Sequence, residues 1–140
     1  MLIIAGTHAT DPKPGPSVPP PLTHAVSVRP VTLGGERAYV LVLTAMATGE
    51  QEIGVTFPDG QTYDFIIMQD GREIWRWSRR RAFHQAVQQR SFRPGEMLLF
   101  VEVWNGQDEF GNPVRGPVDV YAVLTTDPPI KSGPVRLDLD

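Results

Sequence analysis

Tyr63-Asp64-Phe65-Ile66-Ile67-Met68-Gln69-Asp70-Gly71-Arg72-Glu73-Ile74-Trp75-Arg76-Trp77-Ser78 is the stretch that decides the fold. Asp-Gly suits a two-residue type I′ turn, because both central positions need positive φ. The flanks are rich in β-branched and aromatic residues, which favour a pleated, half-buried surface. The spacing predicts strands over 63–69 and 72–78, paired outward from Gln69 and Arg72. In that register Ile67 faces Ile74, Phe65 faces Arg76, Ile66 faces Trp75 and Asp64 faces Trp77. Side chains alternate between faces along a strand. Both faces of this hairpin therefore carry apolar bulk, and the second face needs a cover.

The same pattern extends in both directions. Upstream, Val26, Val28 and Val31 predict one strand. Ala38-Tyr39-Val40-Leu41-Val42-Leu43-Thr44 predicts a second, buried largely on both faces, and Glu52 to Phe57 a third. Pro58-Asp59-Gly60 is a turn signal, since proline presets φ and glycine accepts positive values. Downstream, Gln88–Phe92, Met97–Trp104 and Val118–Thr126 read as strands, and Pro94-Gly95 fits the centre of a type II turn. The alternating tail 135–140 suits an edge strand. Arg79 to Val87 is the one predicted helix, with Ser78 as its N-cap and Phe83 and Val87 at helical spacing. The expected fold is all-β, an immunoglobulin-like sandwich of about seven to nine strands with one short helix.

The N-terminal part is different. Pro12, Pro14, Pro16, Pro19, Pro20 and Pro21 fall within eleven residues. Proline fixes φ and donates no N–H, so this stretch suits an extended polyproline-like arm. The expected organisation is an arm over 1–23 and one sandwich domain over 24–140. Residues 1–5 are apolar but too few, and too poor in flanking basic residues, for a secretory signal. The 140 residues contain no cysteine, which excludes disulfides, thiolate metal sites and a cysteine nucleophile. No apolar run approaches the length of a membrane span. The formal net charge of −3 gives no overall pull toward nucleic acid.

Tyr63-Asp64-Phe65, Asp70-Gly71, Trp75-Arg76-Trp77-Ser78, Phe83-x-Gln85-Ala86 and Pro94-Gly95-Glu96 occur in an order that resembles the intracellular proteinase inhibitor family typified by the Bacillus inhibitor BsuPI. The resemblance covers about Val26 to Thr125. Trp104-Asn105-Gly106-x-Asp108-x-x-Gly111 is similar to a loop of immunoglobulin-like bacterial domains, although Val118 stands where those domains usually have tyrosine. The resemblance implies an immunoglobulin-like sandwich, a cytoplasmic location and inhibition of a bacterial serine protease. It supplies no inhibitory residue set. An envelope adhesion module without inhibitory activity, outside the cytoplasm if a signal sequence precedes this chain, is the alternative.

Residue chemistry points to binding rather than catalysis. No serine lies in a Gly-x-Ser-x-Gly context, and Ser78 with His84 and Glu73 reads as a capped segment rather than a triad. His8, His24 and His84 are isolated, so neither a metal nor a cofactor is expected. The loop 105–117 has the length to enter a protease cleft, where a rigid loop limits the entropy cost of binding. Phe110 at its centre is the pocket-filling candidate, with Asp108, Glu109 and Asn112 as neighbouring contacts. Seven arginines between 72 and 93 face a single acid, Glu73, in that segment. Arg76, Arg79, Arg80 and Arg81 form its densest part, a candidate basic patch for steering an anionic partner. No nucleic-acid reader motif accompanies it.

Overall fold

A computed structural model describes the backbone of residues 2–4 and all of residues 22–140. The proline-rich stretch lies outside the described residues. Nine strands follow Leu22: β2 (Leu22–Leu33), β3 (Glu36–Ala47), β4 (Ile53–Phe57), β5 (Tyr63–Gln69), β6 (Arg72–Arg76), β7 (Gln88–Phe92), β8 (Met97–Trp104), β9 (Gly116–Leu124) and β10 (Ile130–Leu139). A short β1 (Leu2–Ile4) pairs with Ile53–Val55 of β4. The strands form antiparallel sheets in the orders β2-β3-β8, β10-β9-β5-β6 and β1-β4-β7. The architecture is the all-β sandwich expected from the sequence.

One core joins the sheets. Leu41 and Leu43 of β3, Ile53, Val55 and Phe57 of β4, Phe65 and Ile67 of β5, Phe92, Trp104, Val118 and Val120 are all buried in a single cluster. Truncating a buried aromatic such as Phe65 costs about 3–5 kcal/mol, because lost transfer energy and a cavity add. β3 is buried on one face only; Val40, Val42, Thr44 and Met46 on the other are half-exposed. Its apolar run looked covered on both sides in the sequence, but no described strand or helix lies over that second face.

The Asp70-Gly71 turn forms as expected, with φ of 51° and 77°. Gln69 pairs with Arg72 and Met68 with Glu73, but a β-bulge at Ile74 then shifts the register. Ile67 faces Trp75 and Ile66 faces Arg76, one residue off the expected pairing. A one-residue slip exchanges the faces of a strand. It carries Trp75 to the core side, where its ring lies 6.1 Å from that of Trp104. Ile74 is left without a cross-strand partner, and its carbonyl accepts a 3.0 Å hydrogen bond from the Glu109 N–H.

The helix predicted over 79–87 does not form. A single 3-10 turn spans Trp77–Arg80, and Arg81 is already extended at φ −115°, ψ 146°. Ser78 is inside that turn and caps nothing; its Oγ and backbone N–H both donate to Asp64. Residues 81–87 are held by a bond across the molecule and by packing on the turn instead of along a helix axis. The His84 carbonyl accepts from the Gly60 N–H at 2.8 Å, and Phe83 packs on Trp77. Nine residues are too few for a helix to compete alone with such contacts.

Candidate functional site

The loop between β8 and β9 is built by local polar bonds. Asn105 Oδ1 accepts from the Gln107 N–H, and the Trp104 indole N–H donates to the Gln107 carbonyl at 2.8 Å. The Asp108 N–H donates to the Asn112 carbonyl, and Asp108 Oδ1 accepts from the N–H groups of Phe110 and Asn112, each at 2.9 Å. Asp and Asn favour this use of side chains to close their own turns. Gly111 follows at φ 84°, a conformation that only glycine adopts without strain. The Val114 N–H then donates to the Gly106 carbonyl and closes the base of the loop. The N–H groups of Asn112 and Phe110 hold the Asp108 carboxyl below its ordinary range.

This framework displays Phe110 at its tip, 85% exposed. Glu109 points the other way and latches the loop to the hairpin. Its carboxylate accepts from the Arg76 N–H at 2.7 Å and lies 3.4 Å from Arg79 Nε; its carbonyl accepts from Arg80. Asp108, Glu109, Phe110 and Asn112 are thus one structural unit, and Arg79 and Arg80 lie beside it. A shallow pocket of ≈ 230 Å³ opens between Phe110, Glu109, Ile74 and Arg79.

The arginine segment is not a field of free cations. Arg76 bridges the buried carboxylate of Asp64 at 3.0 Å and Glu73 at 2.6 Å. Arg79 pairs with Glu73 as well as Glu109. Arg81 stacks 4.4 Å above the Trp77 ring, the expected use of a long cationic side chain over apolar surface. Hydrogen bonds from Arg76 and then Arg79 hold the Glu73 carboxyl below its usual range, and Glu73 in turn raises Arg76. Asp64 is the residue that the sequence reading did not single out. It is 2% exposed and receives Arg76, the Ser78 hydroxyl and the Ser78 N–H. Its place in the Tyr-Asp-Phe triplet, a charge inside an apolar strand, was the available signal.

Beside this network runs an aromatic stack. Phe83, Trp77, Tyr63 and Phe100 follow one another, with Tyr63 4.5 Å from both Trp77 and Phe100. The Tyr63 hydroxyl donates to Glu102, and burial together with that carboxylate raises the phenol well above its usual range. The stack fixes the 3-10 turn on the sandwich, and through the turn it fixes Arg79 and Arg80 beside the loop.

Comparison with known proteins supplies the remaining observation. The family profile of BsuPI, described as intracellular proteinase inhibitor, matches residues 28–128. The chain belongs to the BsuPI family of intracellular proteinase inhibitors. The match takes in the hairpin, the 3-10 turn and the whole Phe110 loop. Among curated proteins none matches. Among solved structures, a β-glucosidase, EmGH1 from Erythrobacter marinus, aligns at 13% identity and a TM-score of 0.45, over 85% of this chain and 15% of that one.

Proposed function

We propose that this protein is a non-enzymatic inhibitor that acts in the cytoplasm on a subtilisin-like serine protease, with Phe110 as the residue that fills an apolar pocket of the enzyme. The observation that carries this reading is an aromatic residue 85% exposed on a loop that its own hydrogen bonds hold rigid. A soluble domain gains nothing in stability from a ring held in water, whereas a preorganised loop loses little entropy on docking. Membership of a proteinase inhibitor family supplies the class of partner. Asp108 and Asn112 keep the loop shape, Glu109 anchors it through Arg79, and Arg80, which bonds a backbone carbonyl rather than a carboxylate, flanks the contact and steers an acidic rim of the enzyme.

Phe110→Ala tests this reading. Truncating a pocket-filling aromatic costs about 2–4 kcal/mol, or roughly 30- to 1,000-fold in affinity. The expected result is that loss of inhibition with an unchanged melting temperature. A well-folded variant that inhibits as strongly as the parent removes Phe110 from the mechanism. A parent protein that inhibits no serine protease at micromolar concentration favours the adhesion-module reading instead.

A further inference from the structure

β8 is an edge of the β2-β3-β8 sheet. One side pairs with β3 from Tyr39↔Trp104 to Met46↔Met97, and no described strand pairs with the other. Its outward side chains are Met97, Leu99, Val101 and Val103, exposed by 57, 59, 48 and 49%. On β3, where strands flank both sides, Val40, Val42 and Met46 of the same face are only half-exposed. The single charge in β8, Glu102, turns inward to the Tyr63 hydroxyl.

The other edges are guarded as natural proteins guard them, with charges, proline or brevity. β2 carries Arg29 and Pro30, and β6 carries Arg72, Glu73 and Arg76. β7 has Arg90; β10 has Lys131, Pro134, Arg136 and Asp138; β1 is three residues long. β8 has eight residues and none of these devices on its outward face.

We propose that β8 pairs antiparallel with β8 of a second copy of this chain, about a two-fold axis normal to the sheet, giving a continuous six-stranded sheet. A two-fold interface must be self-complementary. The axis places outward residues opposite outward residues, which leaves two central registers. One sets Val101 against Leu99 and Val103 against Met97; the other sets Val101 against its own copy and Leu99 against Val103. Both put apolar against apolar, and neither opposes like charges. The junction gives each β8 the second flanking strand that β3 already has. Stable interfaces bury about 1,200–2,000 Å² in total. An eight-residue junction falls below that range, in the class of weak and transient contacts, so the concentrations that test it are those bracketing a dissociation constant of about 1–100 μM.

Sedimentation of the full chain across about 1–200 μM tests the proposal, since that range brackets the expected constant. The expected result is a monomer–dimer equilibrium that Val101→Lys abolishes while its melting temperature stays that of the parent. A parent that remains monomeric throughout overturns the proposal, as does a folded Val101→Lys variant that dimerises normally. Cysteine cross-linking gives an independent reading, because the chain has no cysteine of its own. Oxidised Val101→Cys is expected to give a covalent dimer in one register, and the Leu99→Cys/Val101→Cys double variant in the other. If neither cross-links, or if Val42→Cys on the adjacent strand cross-links in their place, the edge junction is wrong and the sheets stack face to face or not at all.

Discussion

Phe110 and Trp77 lie on adjoining segments, tied together through Glu109, Arg79 and Arg80, yet their environments are opposite. Phe110 stands in water on a loop closed by bonds within eight residues of chain. Trp77 is half-buried between Arg81 and Phe83 of its own segment and Tyr63 of β5, which stacks in turn on Phe100 of β8 across the sandwich. A loop closed locally can present a residue without involving the core. A residue held by distant partners serves the fold that carries the loop. Exposure and the range of the supporting bonds therefore separate a docking residue from a structural one, even where the two are neighbours.

The largest effect is expected where the supporting bonds are most buried. Asp64→Ala leaves the Ser78 N–H, the Ser78 hydroxyl and one amino group of Arg76, which keeps Glu73, without their acceptor and is expected to destabilise the fold by about 3–5 kcal/mol, measured by denaturant unfolding. A change below about 1 kcal/mol would mean that water replaces the carboxylate and that the network is peripheral. Trp77→Ala comes next. It removes the middle of the aromatic stack and is expected to cost about 3 kcal/mol in stability. At temperatures well below its transition it loses at most about fivefold in inhibition, through the loosened Arg80, far less than Phe110→Ala. If both variants lose inhibition and stability in parallel, the two regions are one unit and the contrast fails.

Asp108→Ala is expected to act on binding more than on folding. The loop loses the acceptor for two N–H groups, so affinity falls by roughly tenfold through lost preorganisation. The melting temperature barely moves, because the loop lies outside the core. The smallest effect concerns pH. Glu73 has a folded pKa below its unfolded value. Its contribution is therefore present above the ordinary glutamate range and is lost as pH falls through the lowered folded value. Unfolding free energy is expected to decline below about pH 4 in the parent, and less steeply in Glu73→Gln. Equal slopes would show that Glu73 contributes nothing to the latch.

The arm assigned to residues 1–23 offers a further check on what the sandwich needs. Deleting residues 1–21 removes the three β1 pairings with β4 and is expected to lower the melting temperature by only a few degrees, as terminal segments with few buried hydrogen bonds do. A fall of tens of degrees would place that segment in the core.

The sequence by itself determined most of the strands, the Asp70-Gly71 turn and the all-β class, while the last strand begins at Ile130 rather than near 135 and β6 ends at Arg76. These depend on period-two patterning and on residues that accept positive φ, both of which are local properties. It also located the loop of Phe110, Asp108 and Asn112, whose closing bonds join residues within a few positions. Tertiary structure alone decided the face of Trp75, the loss of the 79–87 helix and the role of Asp64. The bulge at Ile74 is held by the Glu109 N–H, thirty-five positions away. The helix lost to contacts with Gly60 and Trp77, and Asp64 found its partners on the next strand and the turn beyond it. Each outcome turns on a hydrogen bond or packing contact between segments that only the folded chain brings together, and no local propensity is large enough to outweigh it.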